Sequence, residues 1–122
     1  MAKRILSVDD SASMRQMVKL TLSGAGYDVI EAADGREALT KAPGADVNMV
    51  ITDLNMPNMD GLSLIRELRK LPAFNGIPII FLTTESDAAK KGEAKAAGAT
   101  AWIVKPFQQD QLLGVVRKVL GA

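Results

Sequence analysis

Apolar and polar positions alternate along this chain between two periods. Short β-rich apolar runs are each followed by a stretch of helical spacing. Ile5 to Val8 predicts a first strand. Met14, Met17, Val18, Thr21 and Leu22 then recur at the spacing of one helix face, with Ser11 placed to cap it and Gly24 and Gly26 to stop it. Tyr27 to Ala32 predicts a second strand. Asp34 followed by Glu37 has the spacing of a capping box and opens a short helix that ends near Pro43 and Gly44. Val47 to Thr52 predicts a third strand. Beyond the loop Asn55–Asp60, a helix carries Leu64, Ile65, Leu68 and Leu71 and is stopped by Pro72. Pro78 to Leu82 predicts a fourth strand. Ser86 or Asp87 starts a helix from Ala88 to Ala97 that Gly98 ends, Ala101 to Val104 predicts a fifth strand, and Gln108 to Leu120 a last helix with Leu112, Val115, Val116, Val119 and Leu120 on one face.

Strand-then-helix units in unbroken succession argue for a parallel sheet covered by helices on both faces, a doubly wound α/β fold. The third and fourth runs, VNMVI and PIIFL, are nearly continuously apolar, as strands buried on both faces should be. No repeat, low-complexity tract or linker interrupts the pattern. One domain over residues 1–122, with no output domain, is the expectation.

Composition narrows the chemistry. The 122 residues include no His and no Cys, which removes Ser-His triads, thiol catalysis, disulfides and imidazole or thiolate metal sites. Any metal must be held by oxygen. Fifteen Lys and Arg against 14 Asp and Glu give a formal charge of +1, so there is no electrostatic reason to expect nucleic acid as the main partner. Apolar residues at 48% and charged ones at 24% fit a soluble globular domain. The apolar run in MAKRILSV meets Asp9 and Asp10 too soon for a signal peptide or membrane span, and a cytoplasmic monomer is expected.

In such a sheet, ligands bind beyond the carboxyl ends of the strands, where strand order reverses. Just past strand one come Asp9 and Asp10, past strand three Asp53, past strand four Thr83 and Thr84, and past strand five Lys105. Taken singly, each has an ordinary explanation: Asp9 or Asp10 as a helix cap, Asp53 as a turn residue before MPNMDG, a threonine as a cap, Lys105 as a surface lysine. Their convergence on one edge is what points to function. Two carboxylates ~4 Å apart repel by about 4 kcal/mol at an effective dielectric near 20. An all-oxygen cluster of that sign suits Mg²⁺, which takes one or two carboxylates, keeps waters and often shares a phosphate oxygen. An acyl phosphate formed there would find Lys105 and a threonine hydroxyl available to hold it.

The blocks VDDS at 8–11, TDLNMPNMDG at 52–61, LTT at 82–84 and VKPF at 104–107 resemble the receiver domain of two-component response regulators, in the CheY-like branch. The order and spacing of these blocks cover nearly the whole chain. The resemblance implies a (βα)5 flavodoxin-like three-layer sandwich with strand order 2-1-3-4-5; that order comes with the resemblance, not from the residue pattern. It implies a signalling protein, not an enzyme, with Asp53 as phosphoacceptor from a phosphohistidine on a CheA-like sensor histidine kinase. Asp10 and Asp53 would ligate Mg²⁺ with the backbone carbonyl of Asn55, and Asp9 would act directly or through water. Lys105 would pair with the phosphoryl oxygens. Thr83 would turn towards the phosphate and the aromatic residue at 102 would rotate inward, changing the face of helix four, strand five and helix five. The bond before Pro106 is often cis in this family.

A departure from the usual Tyr or Phe is Trp102. Asn55 and Glu85, two residues beyond Asp53 and Thr83, resemble the chemotaxis type with a short-lived phosphate. Gly92 in mid-helix and small inner residues at Ala88, Ala89 and Ala96 make helix four weakly held and easy to re-pack. The expected output is chemotaxis, through a downstream effector such as a flagellar motor switch protein or a phosphatase; a phosphorelay shuttle is the alternative. A dehalogenase-type phosphatase would expect an acid where Asn55 stands, and no G-x-x-x-x-G-K-[ST] motif supports nucleotide binding.

Overall fold

The computed structural model describes residues 3–84 and 88–121. Five strands, β1 (Arg4–Val8), β2 (Asp28–Ala32), β3 (Met49–Thr52), β4 (Ile79–Thr83) and β5 (Ala101–Val104), alternate with α1 (Ala12–Gly24), α2 (Gly35–Lys41), α3 (Gly61–Arg69), α4 (Ala88–Ala96) and α5 (Gln109–Leu120). Every strand pairing is parallel and the order is 2-1-3-4-5, the flavodoxin-like topology that the resemblance implied. Strand order therefore reverses between β1 and β3.

The period-2 alternation of the strands divides the core in two. Leu6, Val8, Val50, Ile79 and Phe81 face one side, where α2, α3 and α4 pack through Ala38, Leu64, Leu68 and Ala94. Ile5, Met49, Ile51, Ile80, Leu82 and Ile103 face the other, against Val18 and Leu22 of α1 and Leu112 and Val116 of α5. All four residues of β3 and all five of β4 are buried, as their continuous apolar runs required.

Local signals mostly act as read. Ser11 Oγ accepts from Met14 N–H at 3.2 Å and caps α1. Asp34 caps α2, but Glu37 completes the box one residue early, accepting from Ala33 N–H at 2.6 Å. Three expectations need correction. Met17, assigned to the inner stripe of α1, is 49% exposed; the inner face is carried by Val18, Thr21 and Leu22. Leu71 is not in α3, which ends at Arg69; Pro72 holds the preceding residue extended, at φ −84° and ψ 126°, and a short 3₁₀ turn follows over Pro72–Phe74. Ala88, Ala89 and Ala96 are exposed, and Ala94 is the buried position of α4 among the described residues. The expected caps Ser86 and Asp87, and Glu85 with them, lie outside the described residues. Among the described residues, no helix is long and apolar enough to cross a membrane.

Candidate functional site

The ladder hydrogen bonds run one residue past the strands, and this sets the site. Val8 pairs with Thr52, so Asp9 and Asp53 follow side by side. Asp53 N–H donates to Val8 O at 2.9 Å, and Asp9 N–H to Ala32 O at 3.1 Å. On the far side Lys105 N–H donates to Thr83 O at 2.8 Å, which holds Lys105 on the same edge. The peptide bond from Lys105 to Pro106 is cis.

Side chains complete the cluster. Lys105 Nζ donates to Asp9 Oδ2 at 2.6 Å and lies 3.3 Å from Asp53 Oδ2. The lysine is no surface residue: its side chain is 9% exposed. Asp9 and Asp53 are buried too, whereas Asp10 is exposed. Asp9 Oδ1 accepts from Ser11 N–H at 2.9 Å and Asp53 Oδ1 from Leu54 N–H at 2.7 Å. Burial pushes the Asp9 carboxyl above its ordinary value, and the charge of Asp53 adds to this; the hydrogen bonds from Lys105 and Ser11 pull the other way. The ionised form of Asp9 is thus incompletely compensated by the protein alone. Carboxylate oxygens of Asp9, Asp10 and Asp53 lie within 4.8 Å of one another. This hard, all-oxygen set with one solvent-facing member fits a divalent cation of the Mg²⁺ kind, which keeps part of its water shell.

The other expected residues lie on the strands and loop that neighbour this cluster in sequence or in the sheet. Thr83 is fully buried at the end of β4, on the strand beside Asp53, and Thr84 is exposed. Asn55 is exposed on the β3–α3 loop. Trp102 is half-buried; its ring centroid is 5.5 Å from that of Phe81, tilted by 42°. It borders a cavity of about 300 Å³ with Lys91, Ala94 and Lys95 of α4.

Two contributors were not anticipated. Arg15 Nη1 donates to Asp9 O at 2.5 Å while its Nε lies 3.4 Å from Glu31, so it fixes the backbone of Asp9 from behind. Its sequence signal was a cation in the first turn of a helix, where the helix dipole disfavours one. Gly61 is the second. A Cβ there would lie 2.3 Å from Asp53 O and 2.6 Å from the Phe81 ring, so only glycine lets α3 start against the Asp53 peptide. The D-G pair that marks it reads equally well as an ordinary turn.

Comparison with known proteins agrees with this geometry. The family described as the response regulator receiver domain matches residues 5–117. The chain is 46% identical over 120 residues to the chemotaxis protein CheY1 of Helicobacter pylori, covering 97% of each. It superposes on the chemotaxis protein CheY4 of Vibrio cholerae with a TM-score of 0.94 at 48% identity, over 98% of this chain and 99% of that one. The receiver domain of a sensor histidine kinase from Pseudomonas aeruginosa, whose structure has a magnesium ion coordinated in the active-site cleft, is 27% identical with a TM-score of 0.91 over the full length of both.

Proposed function

Because the chain belongs to the response regulator receiver domain family, a family of signalling proteins, we propose that it is a phosphorylation-dependent switch whose phosphoacceptor is Asp53. The observation that carries this reading is the buried Asp9–Lys105–Asp53 cluster at the carboxyl edge of the sheet. Of the two Asp53 oxygens, Oδ1 is held by the Leu54 amide, whereas among the described residues Oδ2 has only the long 3.3 Å contact to Lys105. Oδ2 is therefore the oxygen free to attack. It forms the new O–P bond as the P–N bond of a phosphohistidine breaks, and the electron pair returns to the imidazole nitrogen. These 122 residues hold no His, so the phosphoryl group comes from outside them, from a sensor histidine kinase or a small phosphodonor.

Asp10, Asp53 and the backbone carbonyl of Asn55 would hold Mg²⁺, with Asp9 direct or through water, and the ion would supply positive charge to offset the negative charge on this edge. The residues themselves do the rest. Lys105 exchanges its carboxylate partners for a phosphoryl oxygen within the same pocket. Thr83 supplies a hydroxyl hydrogen bond from the neighbouring strand. Catalysis of this kind is mainly positioning and charge neutralisation.

The signal leaves through α4, β5 and α5. Trp102 lies against Phe81 of β4 and borders α4, so a change at Thr83 has a short path to that face. The likeness to chemotaxis proteins supports a chemotaxis output; on this reading the protein works as a cytoplasmic monomer, with a CheA-like kinase upstream and an effector such as a flagellar motor switch protein or a phosphatase downstream. A phosphorelay shuttle would use the same site and differ in passing the phosphoryl group onward to another histidine.

The single tryptophan provides the test. Mg²⁺ titration, then acetyl phosphate or beryllofluoride, should give two saturable changes in Trp102 fluorescence, and Asp53→Asn should lose the second. Intact mass should show one added phosphoryl group in the native chain and none in Asp53→Asn. If no donor or kinase ever adds that mass, the phosphoacceptor reading fails.

A further inference from the structure

The turn between β2 and α2 is fitted to the loop between β3 and α3. Asp34 Oδ1 accepts from Glu37 N–H at 2.8 Å and caps α2, while its Oδ2 accepts from Asn58 Nδ2, also at 2.8 Å. The next residue, Gly35, is buried, and a Cβ there would lie 2.9 Å from the Met59 side chain. Two consecutive residues of one turn thus seat two consecutive residues of the other.

The segment they seat is strained. Met59 N–H donates to Pro57 O at 2.7 Å and closes a three-residue turn around Asn58, whose φ is 68°. The γ-turn with positive φ is the rare and strained hand, and Asn is among the few side chains that tolerate this region. Such a conformation persists only where the surroundings over-determine it. The ends of the loop are already fixed, by Leu54 N–H on Asp53 Oδ1 and by Gly61 N–H on Leu54 O at 2.8 Å. Its middle, which includes Asn55, is steadied from the β2–α2 turn.

We propose that Asp34 and Asn58 are positioning residues whose hydrogen bond presets the β3–α3 loop, and with it the Asn55 backbone, for a divalent cation. The proposal rests on the reading of this edge as a Mg²⁺ site. Neither residue touches the cation; both act by holding a strained loop in the conformation that binds it.

Two substitutions separate this role from simple stability. Asp34→Ser keeps a capping oxygen for α2 and loses the second oxygen that reaches Asn58. Asn58→Gly keeps a residue at ease with positive φ and loses the side chain. Mg²⁺ affinity would be measured by calorimetry and by Trp102 fluorescence in the native chain, both single variants, the double variant and Asp10→Asn. Amide hydrogen exchange across residues 54–60 would be followed in the metal-free proteins. Each single variant should bind Mg²⁺ about tenfold more weakly, and the double variant should be little worse than either single one. Exchange across the loop should accelerate in both, while the metal-free melting temperature stays within about 3 °C of native. If Asp10→Asn loses Mg²⁺ binding but Asp34→Ser and Asn58→Gly bind like the native chain, the positioning role is overturned and the site stands; additive losses in the double variant also overturn it. If the native chain does not bind Mg²⁺, or Asp10→Asn binds equally well, the site reading falls and the proposal with it.

Discussion

Helices α3 and α4 both span nine residues and lie on either side of β4 in the chain, yet they are held by different means. α3 buries Leu62, Leu64, Ile65 and Leu68 and begins with Gly61 pressed on the Asp53 carbonyl. α4 buries Ala94 alone among its described residues. Full burial of a Leu or Ile side chain contributes roughly 1.5–3 kcal/mol, against roughly 0.8 kcal/mol for a single methylene-sized group. α3 is therefore a fixed wall behind Asp53, the proposed phosphoacceptor, and α4 rests lightly on the sheet. One end of α4 is secured from α3 itself: Arg69 Nη2 donates to Gly98 O at 2.7 Å, just past the helix, while Nη1 holds Phe74 O and Ile77 O at the same distance. Phe81 lies between the two helices, touching the space above Gly61 on one side and Trp102 on the other. For the proposed switch, this arrangement would keep the phosphorylation site still and leave the α4 face free to re-pack.

The contrast can be broken most directly at α3. Leu68→Ala removes a fully buried side chain and should cost about 3–4 kcal/mol, read from urea unfolding midpoints at constant slope. Gly61→Ala should cost about 3 kcal/mol, because the new methyl meets a backbone carbonyl and a buried ring, neither of which can move cheaply. Phosphorylation by acetyl phosphate should also slow in Gly61→Ala, since the clash falls on the Asp53 peptide itself; an unchanged rate would show that α3 does not set the position of Asp53.

The contrast is sharpened at α4. Gly92 sits in mid-helix, exposed, with nothing within 4 Å of the position a methyl group would take. Gly92→Ala should stabilise the protein by about 0.5–1 kcal/mol. It should also reduce the difference in amide exchange between α3 and α4.

The smallest expected effect is electrostatic. Burial raises the Asp9 carboxyl above its unfolded value, so the folded state binds more protons than the unfolded one in that range. The stability of the metal-free protein therefore loses a contribution as pH rises from the unfolded value, about 3.9, through the higher folded one. Asp9→Asn removes that dependence. The difference in melting temperature between the variant and the native chain should shift in favour of the variant as pH rises through this window. A difference that stays flat between pH 3 and 7 would show that Lys105 and Ser11 compensate the burial completely.

Much of this was legible from residue order. Continuous apolar runs marked β3 and β4 as central strands, Ser11 and Asp34 marked helix starts, and Asp9, Asp53 and Lys105 marked one edge because a parallel strand always delivers its next residue to the same end of the sheet. The inner face of α4 was misread for a physical reason. AAKKGEAKA has no large apolar side chain, so a helical period gives no direction, and any of its alanines fits equally well. Met17 failed differently: the stripe was right in period but one position too wide.

The sequence by itself determined the succession of strands and helices, the absence of imidazole and thiol chemistry, and the collection of acids and a lysine at the strand ends. Those depend on periodicity, composition and the geometry of a parallel strand. Only the tertiary structure decided that Lys105 bridges Asp9 and Asp53, that Arg15 grips the Asp9 carbonyl, that Gly61 leaves no space above Asp53, and that Asp34 reaches Asn58. Each of these is a contact between different elements or the loops that join them. Strand register and the close approach of the helices set their distances, and neither leaves a local mark in the order of residues.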